Sequence, residues 1–320
     1  MNYKRFSLGL TLSLVGLIMI VWLLAWIMPE KRYLNDDYPF LRQQQDHVRQ
    51  DSDIVETIIL GDSRSKMGIL AQDLGDNTYN LSLSGATAIE MYYTLSNYLH
   101  HHPRPKALII SLSPGTFTNI GTYPVGSAYL HFFKKDELDE INELLLTYDN
   151  LDFRKTTTCY YYRTPNVYMW PILRGLFNPK TKSFDEVYQQ TDVSHGFMPG
   201  NRPAKIDDVI APEVKENGFR LNPVIDIYIN KIFALSTAQQ IPVYFIHMPM
   251  GKVGYDILKS NGYLEAYINY MESLANKYGI CMQTDIPVYE NKYFIDDSHM
   301  NPQGARLYTN NLKRDYKKLF

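Results

Sequence analysis

The chain has 320 residues, 45% of them apolar and 21% charged, which is enough for one large domain or a domain with a sizeable insertion. A formal net charge of −2 gives no reason to expect a nucleic-acid partner. Two cysteines, Cys159 and Cys281, are too few for a disulfide framework and are expected as free, buried thiols.

The first element in chain order is the stretch Ser7 to Met28, mostly apolar and long enough to cross a bilayer as a helix. A cleavable signal peptide has a shorter apolar region and a small-residue cleavage site, and neither fits Trp26-Ile27-Met28-Pro29. Lys4 and Arg5 precede the stretch; Lys31 and Arg32 follow it among Glu30, Asp36 and Asp37, so basic charge alone is nearly balanced across the span. A short amino-terminal tail is easily retained, which favours a cytoplasmic N-terminus and a body outside the cytoplasm. Residues 1–33 are thus read as tail and anchor. Residues 34–52 are polar and read as a juxtamembrane helix or stalk on which His47 is solvated.

The body, 53–320, opens with Ile54 to Leu60, a β-branched run typical of a buried parallel strand. It stops at Gly61-Asp62-Ser63, where the chain must turn toward a helix. A second short strand ends near Leu83, and Thr87 to His101 has helical spacing through Ile89, Tyr92, Leu95 and Leu99. His100, His101 and His102 are adjacent and do not converge on one helix face, so no metal site is assigned. Ala107 to Leu112 is a third strand.

From about 115 to 221 the α/β rhythm breaks, as for an insertion. Lys134 to Thr147 is an acidic amphipathic helix with a solvated face. The aromatic segment Cys159 to Trp170, with Arg163, reads first as packing of an insertion helix and second as a platform for sugar rings or the bilayer interface. Lys180 to Gly218 is polar, bears Pro and Gly, and reads as a long loop, with His195 a minor candidate acid or base.

Regular order resumes with a helix starting at Asn222-Pro223, a fourth strand from Ile241, a helix from Gly262 to Tyr278 capped by Gly279, and a fifth strand from Ile280 to Thr284. His247, at the end of the fourth strand, is either a pocket residue or a core-edge histidine. A last helix runs from Pro302 to Leu319.

A serine at the carboxyl end of a parallel strand lies where open α/β sheets bind ligands. Its hydroxyl needs a base within reach and a group to orient that base. Asp296 and His299, three residues apart in a terminal loop, offer both, in the chain order Ser, Asp, His. Ser63, His299 and Asp296 are therefore the candidate catalytic residues, with Asp62, Arg64 and His247 as candidate pocket residues.

At these positions the chain resembles the SGNH (GDSL) hydrolases. Gly61-Asp62-Ser63 is similar to the first block of that family, and Asp296-x-x-His299 to its last. Asn80-Leu-Ser-Leu-Ser-Gly85 is similar to the second block, which implies that Gly85 joins Ser63 in donating backbone N–H groups to an oxyanion. The third block departs from the family: Leu108 to Gly115 has no asparagine, leaving Ser113 as the residue there able to offer a donor.

The resemblance implies a three-layer α/β/α sandwich with a five-stranded, mainly parallel sheet, and an acyl-serine intermediate without cofactor or metal. Anchored proteins of this family work beside membrane-bound O-acyltransferases in acylating cell-envelope polymers. Envelope polysaccharide, or another acyl ester, is then the expected substrate, and the membrane and a multi-span O-acyltransferase the expected partners. The alternative is an inactive envelope scaffold or glycan-binding module that keeps the fold.

Overall fold

The computed structural model describes residues 3–50, 55–121, 126–178, 181–200 and 218–319. The chain divides into two compact units, Met1–Phe40 with Pro124–Tyr188, and Leu41–Tyr123 with Gln189–Phe320.

The larger unit is an α/β sandwich. Its strands are β1 (Thr57–Gly61), β2 (Thr78–Asn80), β3 (Ala107–Ser111), β4 (Val243–Phe245), β5 (Met250–Gly251), β6 (Cys281–Met282) and β7 (Val288–Tyr289). Five of them form a sheet in the order β2-β1-β3-β4-β6, with every pairing parallel; β5 and β7 make a separate small pair. The strands carry near-continuous apolar runs because both faces are covered. Ile58, Ile59, Leu60, Leu108, Ile109 and Ile110 are all fully buried, each contributing about 1.5–3 kcal/mol.

By the pleat, Ile59 and Ile109 share one face, where they join Ala71 and Leu74 of the short helix α4 (Ala71–Leu74) and Tyr308 and Leu312 of the terminal helix Pro302–Asp315 in one apolar cluster. Elsewhere, helix α5 (Ala88–His101) packs on helix Pro223–Ala238, which in turn meets helix Tyr263–Tyr278. A capping box starts α5: the Glu90 carboxylate accepts from the Thr87 N–H at 2.9 Å, and the Thr87 hydroxyl accepts from the Ile89 N–H at 3.2 Å. Gly279 ends Tyr263–Tyr278 at φ 68°, as its position in the sequence predicts.

Several expectations need correction. The stretch 34–52 contains helix α2 (Tyr38–Arg49), and from Leu41 onward this is part of the sandwich unit rather than a free stalk. Gln43 donates to the Tyr79 hydroxyl at 2.6 Å and to Asp192, and Gln44 donates to the Asn80 carbonyl at 3.0 Å. His47 is not simply solvated: its ring stacks 3.5 Å from that of Tyr79, and burial, then His102 and His195, push it down to about 4. The polar stretch 180–218 is not one long loop, since Thr181–Val193 is helical; its portion 201–217 lies outside the described residues. Both cysteines are free, but Cys281 is exposed and Cys159 half-buried. Cys281 sits on an edge strand, where one face of the pleat need not be covered.

The smaller unit holds helix α1 (Tyr3–Ile27), which is long and apolar enough to cross a membrane and nearly all exposed. It also holds helices α6 (Lys135–Asp149), α7 (Arg154–Tyr161) and α8 (Pro165–Phe177). Just past α1, Glu30 is gripped from three sides. It accepts from the Tyr38 hydroxyl and the Arg163 guanidinium, and pairs with His131 Nδ1 at 2.7 Å. Burial acts to raise the Glu30 carboxyl, yet the bonds from His131 and Tyr38 and the nearby charges outweigh it and hold the group at about 2.

Two outcomes follow for stability. At Gly61 an added Cβ would lie 2.5 Å from the Ser111 carbonyl oxygen and 2.3 Å from Ser65 Oγ, so Gly61→Ala should cost about 1–3 kcal/mol in urea denaturation by overpacking. Because the Glu30 pKa is depressed from 4.5 to about 2, its stabilisation is present above pH 4.5 and is lost as pH falls toward 2. The thermal midpoint of Glu30→Gln in detergent should therefore lie below wild type at pH 7, with the gap closing between pH 4.5 and 2; a pH-independent gap would contradict this.

Candidate functional site

The strand order reverses direction between β1 and β3, since β2 lies on one side of β1 and β3 on the other. Such a switch point opens a crevice at the carboxyl ends of the strands. Ser63 lies two residues past the end of β1, as the first residue of the short helix α3 (Ser63–Gly68), and Ser113 lies two residues past the end of β3.

Asp62 makes this turn. Its Oδ1 accepts from the Arg64 N–H at 2.9 Å, capping α3, and its Oδ2 accepts from the Ser113 N–H at 3.0 Å. One carboxylate, only 5% exposed, thus ties the ends of β1 and β3 across the crevice. Asp62, expected to line the substrate pocket, thus has each of its oxygens engaged by a backbone donor. The Ser113 backbone donor is engaged in turn. Arg64 is half-buried beside Ser63.

The terminal loop is folded by its own side chains. Asp296 Oδ1 accepts from the Ser298 N–H at 2.9 Å and the His299 N–H at 2.7 Å, while the Ile295 N–H donates to the His299 carbonyl at 2.9 Å. Asn301 caps the following helix through the N–H groups of Gln303 and Gly304. Gly304 is required there, since a Cβ would lie 2.3 Å from the Tyr293 carbonyl oxygen.

This loop meets the turn after β1. His299 Nε2 lies 2.8 Å from Ser63 Oγ, across 236 residues of sequence, and His299 Nδ1 lies 2.8 Å from Asp296 Oδ2 and 3.0 Å from Oδ1. With Nδ1–H donated to the carboxylate, Nε2 is left to accept the Ser63 proton. Burial works to raise the Asp296 carboxyl, but the Ser298 N–H, then the His299 ring and N–H, more than offset it, so the group is held below its usual value and stays ionised. Ser63 and His299 are both partly exposed, so a substrate can reach them.

Gly85 sits on a turn drawn toward the same place. The N–H groups of Leu81 and Leu83 donate to the Ile59 and Gly61 carbonyls at 2.8 and 3.0 Å, so residues 81–83 run beside the end of β1. Gly85 then adopts φ 64°, a left-handed conformation that suits glycine.

His247 is not a pocket residue. It is 1% exposed, its Nε2 pairs with the Tyr267 hydroxyl at 3.0 Å, its carbonyl accepts from Tyr308, and burial pushes the ring down to about 4. His195 bonds through Nδ1 to the Thr78 carbonyl at 3.2 Å, on the sheet's edge strand. His102 is likewise occupied, donating from Nε2 to the Val48 carbonyl.

Two supporting residues escaped the reading of the sequence. Asn80, fully buried, donates to the carbonyls of Ser65 and Ile69 and accepts from the Ser82 N–H, locking α3 to the end of β2. Lys66, also buried, donates to Ser84 Oγ at 2.6 Å and so steadies the turn before Gly85. An amide closing a strand and a lysine one turn past the serine were the available signals, but neither has a distinctive periodicity.

No protein-family model matches the chain, and no curated protein matches it. Among solved structures, it is similar to a Bacteroides fragilis protein provisionally described as an acylhydrolase, at 10% identity and a TM-score of 0.34, with 88% of this chain and 96% of that one covered.

Proposed function

We propose that the chain is an SGNH-type serine esterase or O-acyltransferase, anchored in the cell membrane by α1 and acting on cell-envelope polysaccharide. The observation that carries this reading is the 2.8 Å contact of Ser63 Oγ with a histidine whose other nitrogen is held by a carboxylate.

In this reading Ser63 Oγ attacks an ester carbonyl while its proton passes to His299 Nε2, and Asp296 stabilises the imidazolium. Backbone N–H groups of Ser63 and Gly85 receive the oxyanion. Collapse expels the alcohol, which takes the proton from Nε2, and leaves an acyl-serine. Water then gives an esterase; a sugar hydroxyl gives a transferase. The apolar α1, preceded by only a short tail, supports an anchored body outside the cytoplasm, where a multi-span O-acyltransferase would supply the acyl group.

A second reading, an inactive scaffold or glycan-binding module, is favoured by one observation: the third block has no asparagine, and the Ser113 N–H is already bound to Asp62.

A fluorophosphonate probe applied to the full chain in detergent should label wild type and not Ser63→Ala, and Asp296→Asn should label on the order of 10⁴-fold more slowly. Undiminished labelling of Ser63→Ala refutes the nucleophile; a folded wild type that never labels favours the scaffold. With an activated acyl ester and an oligosaccharide acceptor, acylated sugar should appear at the expense of free acid. If free acid is the sole product with every acceptor, transfer is wrong and hydrolysis stands.

A further inference from the structure

We infer that α8 is a second membrane-contacting element, an interfacial helix that seats the insertion on lipid beside the end of α1. This rests on the reading of α1 as a membrane span.

The two faces of α8 differ sharply. Tyr168, Ile172 and Gly175, spaced four and three residues apart, are buried against the end of α1 and the turn after it. Gly175 is needed for this approach, because a Cβ there would lie 2.5 Å from the Arg32 carbonyl oxygen. The opposite stripe has Trp170 72% exposed and Phe177 86% exposed, with Arg174 between them. In water, exposing a tryptophan and a phenylalanine on one face of a 13-residue helix leaves a large apolar area uncovered. A helix with aromatic residues and a basic side chain on one exposed face suits the boundary between headgroups and acyl chains.

Position along α1 agrees. A 25-residue helix is about 37 Å long, exceeding the roughly 30 Å hydrocarbon core, so its last turns reach the interface. The insertion meets α1 at those turns. Trp22 Nε1 donates to the Tyr162 carbonyl at 2.9 Å, and the Arg163 guanidinium lies 5.1 Å from the Trp26 ring centroid. Tyr161 and Tyr162, next to Arg163 in the chain, are exposed and add to the aromatic side chains at this end of α1.

The open backbone carbonyl at the end of α1 is satisfied by protein. The Ala25 carbonyl, among the last of α1 and without a helical partner, accepts from Arg163 Nη1 at 3.0 Å and from the Tyr33 hydroxyl at 3.3 Å. The Arg163 charge is in turn paired with Glu30. A helix end capped in this way tolerates lipid around it. Continuity with the lipid-facing surface of α1 selects the bilayer as the occupant of the exposed stripe.

The chain has three tryptophans, so each can be isolated in the full chain. Two variants, Trp22→Phe with Trp26→Phe and Trp26→Phe with Trp170→Phe, would be reconstituted into phosphatidylcholine vesicles with and without shallow-brominated lipid. The expected result is loss of emission from Trp170 comparable to that from Trp22. Loss from Trp22 with none from Trp170 overturns the inference while leaving the anchor intact, and assigns the stripe to a protein partner. No loss from either tryptophan overturns both. A spin label at Phe177→Cys, with Cys159→Ser and Cys281→Ser, gives an independent readout: it should be more accessible to oxygen than to a nickel chelate, and the reverse order refutes lipid contact.

Discussion

The chemistry proposed for this chain depends on one hydrogen bond, between a hydroxyl at the end of the first strand and an imidazole brought from 236 residues away. Neither partner can be placed by local propensity, and closing so long a loop costs entropy that the contact itself does not repay. The sheet repays it. Once β1, β3, β4 and β6 are paired, the terminal helix has an apolar face to cover, and its packing on Ile59 and Ile109 delivers the preceding loop to the crevice. The contact is thus a by-product of burial elsewhere, and its geometry inherits the rigidity of a packed core.

Within the sandwich unit a few polar side chains convert that rigidity into placement. Asp62 ties two strand ends together, Asn80 locks the short helix α3 to the end of β2, and Asp296 folds its own loop while holding the imidazole. Both oxygens of each carboxylate, and the oxygen and nitrogen of the amide, are engaged, which is how buried polar groups cease to be a cost.

Much of the sandwich was legible in the sequence, because buried parallel strands and amphipathic helices carry strong periodic signals. The runs at Ile58 to Leu60 and Leu108 to Ile110 are unbroken, and Asn222-Pro223 and Asn301-Pro302 announce helix starts that the structure contains. Ser63, Asp296 and His299 were legible as residue types at informative positions, and the structure brings them together. Less legible were residues whose roles arise only from long-range contacts. Asp62 looked like a pocket residue because it precedes the serine, yet its second oxygen is claimed by Ser113, 51 residues on. His247 stands at a strand end facing the active edge, but Tyr267 and Tyr308 enclose it, and both come from helices far along the chain. His47 reads as a surface residue until Tyr79 is found stacked on it.

The dual duty of Asp296 has a kinetic corollary. The same oxygen that faces the imidazole also receives two main-chain donors, so the loop has no reason to curl before the carboxylate is ionised and in position. Orientation of the base and shaping of the backbone are therefore one event. A nascent polypeptide emerging in vectorial order carries its serine long before that event is possible. The hydroxyl and the imidazole therefore meet only when the final segments have docked.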